Sequence, residues 1–253
     1  MLSPPKILIG TCALIILVAI SAAPSAISDA PPAVCDSDAL NVSRTIEVSA
    51  GQGNVSDQLV EGEVILTFDD GPNRRRTRAV LDVLDSECVR AAFFLRGDQA
   101  RRNGKITREI IERRHTLGGH GWAHADLTKL SLPAARADIS RGIRGIDRAF
   151  RNVDTPPKIG LFRFPFIARN DALSAEVAEL GLAEVSVDVD GQDWTGNSAE
   201  EIVDIIMTRL EARGRKGIVL LHDPFANSVD ATQLLLTRLK AENYAVVEII
   251  PAP

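Results

Sequence analysis

A chain of 253 residues, 45% of them hydrophobic, is long enough for one α/β domain with a full core. Its formal net charge of -5 and pI near 5.5 exclude a globally basic nucleic-acid binder and leave only local basic patches open. The first residues stand apart from the rest. A short n-region ends at Lys6, and an apolar run from Ile7 to Ile20 follows, interrupted only by Gly10, Thr11 and Cys12. Small residues then cluster at Ser21-Ala22-Ala23-Pro24-Ser25-Ala26. This is the layout of a secretory signal peptide over residues 1–26. The run is short for a membrane span, which needs about 20 apolar residues, so an uncleaved N-terminal anchor is the alternative and the sole membrane contact expected. Export places the chain in a periplasm, a cell envelope or the medium. An oxidising compartment permits Cys35 and Cys88 to pair, and Cys88 equally suits a small buried hydrophobe.

Residues 27–60 are rich in Pro, Ser, Asp, Gly and Asn and read as a leader with one edge strand at Thr45–Val48. A composition shift at Glu61 opens the main domain, residues 61–253. Val64-Ile65-Leu66 predicts a buried strand over 63–68, and Val80, Leu81, Val83 and Leu84 predict a helix over 77–87. Strands follow at 91–95, 159–162, 182–189, 217–221 and 245–249, with a short strand or loop at 118–120. Helices are predicted at 106–114, from an N-cap at Ser131 to about Phe150, over 172–180 stopped by Gly181, and over 229–240. Ser198-Ala199-Glu200-Glu201 reads as a capping box for one more, ending near Arg213. Repeated β-then-α units argue for a parallel sheet, and some seven of them without reversal favour a closed or nearly closed barrel.

In such a barrel, function sits where strands end. Asp69 and Asp70 end the first strand, and a Gly71-Pro72 turn follows. Side chains alternate along a strand, so the two carboxylates point in different directions and can hold different jobs. One can bind a cation while the other takes a proton. His120 and His124, Arg163, the acids Asp188, Asp190 and Asp193, and the pair His222-Asp223 fall at other strand ends. Two histidines and one carboxylate make a metal set with positions left open. His115 lies near a helix end and reads as structural. Arg74, Arg75, Arg76 and Arg78 precede a helix, where cations are unfavourable; they read as a solvated loop or as contacts to an anionic ligand.

Five segments occur in order: TFDDGP at 67–72, HGWAH at 120–124, RFPF at 163–166, DVDGQDW at 188–194 and LLHD at 220–223. Over Glu61 to about Ile250 the chain resembles polysaccharide deacetylases of the NodB-homology type, carbohydrate esterase family 4. The resemblance implies a distorted (β/α)7-type barrel and a divalent metal, commonly Zn2+, with Co2+ or Ni2+ as alternatives. It implies that Asp70, His120 and His124 bind the metal and that Asp69 is the general base, paired with Arg163. It implies that Asp193 tunes His222, the general acid, and that Phe166 offers its backbone N–H to the oxyanion. Trp194 and Leu220 would line the pocket for the acetyl methyl group. The implied reaction removes N-acetyl groups from a polysaccharide or oligosaccharide containing N-acetylhexosamine. An O-acetyl esterase and a catalytically silent glycan-binding domain are the rival readings. No nucleic-acid partner is expected, and the polymer and oligomeric state stay open.

The sequence departs from the family pattern at several places. Gly121 stands where Ser or Thr usually follows the first metal histidine, which removes a hydroxyl that would steady the metal loop. Gly119 replaces a usual Asn, Ile167 a common Gly and Phe166 a usual Tyr, and Val185 stands where many relatives carry an aromatic residue. These changes touch the groove and the surroundings of the ligands rather than the ligands.

Overall fold

A computed structural model describes Met1, residues 38–52 and residues 54–253. The signal-peptide segment, Cys12, Cys35 and the start of the leader lie outside the described residues. Cys88 is disulfide-bonded. No helix among the described residues is long and apolar enough to cross a membrane.

The organising element is β2, Glu63–Asp69, whose seven residues are all buried. A strand covered on both faces reads as a continuous apolar run, as EVILTFD does. It pairs in parallel with β3 (Ala92–Leu95) on one side and β8 (Gly217–His222) on the other. From β3 the sheet continues through β4 (Thr116–Gly119), β5 (Leu161–Phe162) and β6 (Ala183–Glu184). From β8 it reaches β7 (Val189–Asp190). These seven strands curl round until β6 and β7 face each other, and no pairing joins those two among the described residues. The result is a nearly closed, wholly parallel barrel, as expected. β9 (Ala245–Pro251) meets β2 only at Glu63 and Val64 and carries β1 (Val42–Val48) as the outermost strand. The edge strand expected at Thr45–Val48 is therefore real and slightly longer.

Alternation along β2 sorts the core into two layers. Val64, Leu66 and Phe68 face outward and pack under α1 (Arg76–Ser86), α6 (Ala199–Ala212) and α7 (Ala226–Ala241), with Val80, Leu81, Ile206, Leu210, Leu235 and Leu239. Ile65 faces the barrel interior with Ala92, Phe94, Leu161, Val185 and Ile218, while Ile46, Val48 and Ile249 fill the same cluster. Truncating a fully buried ring such as Phe94 would cost about 3–5 kcal/mol. The interior-facing positions above Ile65 are Thr67 and Asp69, so the layer that plugs the barrel gives way to polar groups at its mouth.

Some elements differ from expectation. The strand expected over 182–189 is two short strands, because the side chain of Arg163 occupies the intervening carbonyls of Val185 and Ser186 at 3.2 and 3.0 Å. Gly97–Arg102 forms an unexpected helix, α2, followed by α3 (Gly104–Glu112). Its apolar signal is one alanine, and close packing replaces it: a Cβ on Gly97 would lie 2.5 Å from Gly142 of α4 (Leu132–Asp147). That helix ends at Asp147 and passes into a 3₁₀ turn at 148–150. Ser131 stands at its N-cap position without making a side-chain capping bond. The Ser198–Glu201 capping box forms on α6, and Gly181, at φ +73°, stops α5 (Asp171–Glu179).

Candidate active site

Parallel register decides which strand ends meet. Asp69 is aligned with Phe94 on one side and with His222 on the other. The base candidate and the acid candidate thus sit on adjacent strands with no loop between them. Asp69 is 2% exposed, and its Oδ1 accepts from Arg163 Nη1 at 2.8 Å, an ion pair sealed from solvent. The same guanidinium donates to Thr67 Oγ1 at 2.8 Å and stacks over the Phe94 ring at 4.2 Å. Asp69 Oδ2 faces the cleft, 3.7 Å from His120 Nε2.

Asp70 leaves the strand at φ +73°, which swings its carboxylate away from that of Asp69. Its Oδ1 lies 3.6 Å from His124 Nε2 and 4.0 Å from His120 Nε2, and the three ligand atoms fall within 4.8 Å of one another. Two donors each about 2.1 Å from one cation sit up to about 4.2 Å apart, so the spacing around Asp70 suits a shared ion. Asp70 Oδ1 is buried with no hydrogen-bond partner, an arrangement that is costly unless something positive is held there. The imidazoles are in the right form. His120 Nδ1 lies 2.8 Å from the carbonyl oxygen of Arg163, which can only accept, so Nδ1 carries the proton and Nε2 keeps its lone pair. Burial, opposed by the charge of Asp70, holds the pKa of His124 below its ordinary value. The residues therefore fit a divalent cation.

The loop carrying the two histidines is held by groups that the sequence reading missed. Gly97 N–H and Asp98 N–H, at the start of α2, donate to the carbonyls of Gly121 and Trp122 at 3.0 and 2.9 Å. Asp138 Oδ1 accepts from Trp122 N–H at 2.8 Å. Gly121 itself has φ +68°, and a Cβ there would come within 3.0 Å of Asp138 Oδ1. The loop that lacks a Ser or Thr hydroxyl is thus held by an acid from α4, and its positive φ at residue 121 suits glycine.

On the other rim, Asp193 is 1% exposed and receives His222 Nδ1–H at 2.8 Å, His222 N–H at 2.6 Å and the Ser228 hydroxyl. Burial disfavours charge on His222. The hydrogen bond and charge of Asp193, with help from Asp69 and Asp70, more than offset it and raise the pKa to about 9. Asp223 points away from the cleft and packs beneath the Gly71-Pro72 turn. A Cβ on Gly71 would come within 2.3 Å of both its carboxylate oxygens. Complete burial, and then the charge of Asp70, push its carboxyl up to about 7, against bonds from Thr77 and Asn73. Asp188 is also outside the cleft, held by Arg213 at 2.6 Å and by Ile218 N–H at 2.9 Å. His115 is structural as expected: its Nδ1 accepts from Ala91 N–H, and burial lowers it to about 3.

Asp69, Asp70, His120, His124 and His222 line one cleft of about 380 Å³, whose walls are Phe164, Phe166, Ile167, Asp190, Trp194, Leu220 and Phe225. Phe166 and Ile167 both take positive φ, at 59° and 56°, and the Phe166 ring stands edge-on to His124 at 4.3 Å. Exposed Trp194 and buried Leu220 face the same space. Of the ten residues given roles by the resemblance, eight line this cleft and Arg163 and Asp193 bond to two of them from behind, whereas Asp188 and Asp223 at neighbouring strand ends stay outside it.

A barrel of this kind, with a two-histidine, one-aspartate cluster beside a buried, ion-paired carboxylate and a histidine of raised pKa, has the make-up of a hydrolase-type centre. Residues 57–185 match the polysaccharide deacetylase family model. The chain is 33% identical over 160 residues to a chitooligosaccharide deacetylase of Sinorhizobium fredii, covering 63% of this chain and 71% of that enzyme. It is 30% identical to the peptidoglycan-N-acetylglucosamine deacetylase PgdA of Listeria monocytogenes, covering 74% of this chain but only 38% of that protein. The structure of a family 4 carbohydrate esterase from Streptomyces lividans, in complex with acetate, superposes with a TM-score of 0.65 at 31% identity, covering 74% of this chain and 93% of that one. The chain belongs to the polysaccharide deacetylase family.

Proposed function

We propose that this chain is an exported, metal-dependent hydrolase that removes N-acetyl groups from N-acetylhexosamine units of a polysaccharide. The observation that carries the reading is the convergence of Asp69, Asp70, His120, His124 and His222 on one cleft. Asp70, His120 and His124 would hold the cation, with zinc favoured by the nitrogen-rich donor set. Bound there, a divalent cation supplies Lewis acidity and lowers the pKa of water at the site.

The other roles follow from the chain's own groups. Arg163 holds Asp69 through Oδ1 as its counter-ion, which leaves Oδ2 to take a proton as water attacks the acetamide carbonyl. Phe166 N–H, on its left-handed turn, donates to the developing oxyanion. Asp193 holds His222 protonated, and His222 gives that proton to the departing amine nitrogen. The products are acetate and a free amino sugar. Trp194 and Leu220 enclose the acetyl methyl group. The similarity to envelope-glycan and chitooligosaccharide deacetylases supports both this substrate class and an exported site of action, as does the signal-like segment at residues 1–26.

Metal-stimulated acetate release from a panel of glycans tests the reading, and a chain that releases none with any divalent metal overturns it. Release confined to O-acetylated sugars would favour the esterase, for which His222→Ala should be milder because an alkoxide needs less help to leave.

A further inference from the structure

Beside the cleft runs a second groove, of about 560 Å³, that shares Asp70 and Phe225 with it. Its floor and walls include Asn73, Arg74, Arg75, Arg96 and Asn103. The four arginines after the TFDDGP turn separate into two kinds. Arg78 is tied to Glu109, with Nε–Oε1 at 2.9 Å, and Arg76 donates to the Pro224 carbonyl. Those two are structural. Arg74 and Arg75 are exposed, line the groove and have no carboxylate partner among the described residues. Arg96 adds a third guanidinium, shared with Asp98 at 3.2 Å. Asp70 is the one acid on the groove wall among the described residues, and a cation held by it would cancel its repulsion of an anion.

This placement opposes local stability. Arg75 and Arg76 occupy the N-cap and first turn of α1, where there is no acid. Positive side chains there face the positive end of the helix. Asn73 Oδ1 meets the backbone N–H groups of Arg75 and Arg76 at 3.1 Å each, so the helix start is satisfied without any arginine side chain. Among the described residues, no ion pair or side-chain hydrogen bond ties the guanidinium groups of Arg74 and Arg75 to the fold, unlike that of Arg96.

We propose that Arg74 and Arg75, with Arg96, form a subsite for an anionic substituent, a carboxylate or a phosphate, on a sugar next to the one being deacetylated. The inference rests on the reading of the cleft as a glycan site and names the class of glycan: an acidic rather than a neutral polymer. A chain lying across the cleft and into the groove would present that anion to planar guanidinium forks, which suit both oxyanions.

Binding is the test, because it is independent of turnover. Three tetrasaccharides are titrated calorimetrically into the full chain in an Asp69→Asn background. One is the neutral N-acetylglucosamine tetramer, one carries N-acetylmuramic acid at alternate positions, and one carries 6-phosphates at alternate positions. The acidic tetramers should bind about tenfold tighter than the neutral one at low salt, as expected for two solvent-facing charge-assisted bonds. The margin should narrow as salt shortens the screening length. Which anion gains more identifies the substituent. In R74E/R75E, and in the milder R74Q/R75Q should the first fail to fold, the acidic-to-neutral affinity ratio should fall to one or below. Equal affinity for all three tetramers in the parent, or a ratio unchanged in a folded variant, overturns the subsite. Acetate release judges the deacetylase reading separately. An active chain with no acid preference loses the subsite alone, and an acid preference without acetate release loses the deacetylase alone.

Discussion

Replacing Asp193 by Asn keeps the shape of the His222 support and removes its charge. Asp193 accepts three hydrogen bonds with its two oxygens, from His222 Nδ1–H, His222 N–H and Ser228. Asparagine has a single acceptor oxygen and turns an N–H₂ group toward one of these donors. The burial that disfavours charge on His222 is then unopposed by its main partner, and a cation at Asp70 would offset the remaining acidic pull. The pKa should fall from about 9 to 6.5 or lower. At pH 8 the protonated fraction then falls on the order of 30-fold, and the acid-assisted rate with it. The stability consequence has a definite sign. The folded pKa is raised above its ordinary value of 6.5, so the stabilisation is complete below about 6.5 and fades as pH rises through about 9. At 1.36 kcal/mol per pH unit the difference is on the order of 3 kcal/mol, so D193N should be clearly destabilised at pH 6 and much less so near pH 9.5. Labelled-imidazole NMR titration reads the pKa directly, since the chain has 4 histidines. A His222 that titrates in D193N where it does in the parent, or a pH–rate profile whose alkaline limb stays in place, would refute the assignment.

Asp69→Asn should abolish acetate release while leaving bound metal near stoichiometric; loss of metal in that variant would mean that the two adjacent acids have exchanged roles. Asp138→Ala should weaken metal binding about tenfold by freeing the Trp122 amide and the loop between the histidines, with the far-ultraviolet spectrum unchanged. Chelator competition measures it, and an unaltered metal affinity sinks the claim that Asp138 steadies the metal loop. Gly71→Ala should destabilise by about 1–3 kcal/mol or more in urea titration, since the new methyl meets a fully buried Asp223 that Thr77 holds in place. A neutral outcome would mean that the turn slides freely over Asp223.

The barrel and its mouth were legible in the sequence for a physical reason. Parallel strands buried on both faces leave largely apolar runs, and several of these stop at a residue that lines the cleft, as the run from Val64 stops at Asp69 and the one from Ile218 stops at His222. The Ser198–Glu201 box and Gly181 were legible because helix ends are set by local chemistry. What escaped depends on contacts between distant segments. Helix α2 has almost no apolar periodicity and is held by glycine-on-glycine packing against α4. The first turn of α7 was missed because its Asn227 and Ser228 serve Asp193 instead of the core. Asp138 lies midway along α4 and looks like a solvated helix acid, with no signal linking it to Trp122. The arginine run was ambiguous as sequence, because pairing to Glu109 and to the Pro224 carbonyl, which sets Arg78 and Arg76 apart, is a tertiary fact.

The unpaired seam between β6 and β7 makes one residue answerable for two properties. Arg163 reaches from β5 to Thr67 and Asp69 on β2, and it also clasps Val185 and Ser186 where the ladder fails. Any breathing of that gap would strip the counter-ion from Asp69 at the same moment. Mechanical integrity of the wall and the pairing of the Asp69 carboxylate are therefore not independently tunable. A lineage that reshaped this side to admit a bulkier ligand would have to find a new counter-ion for that buried carboxylate.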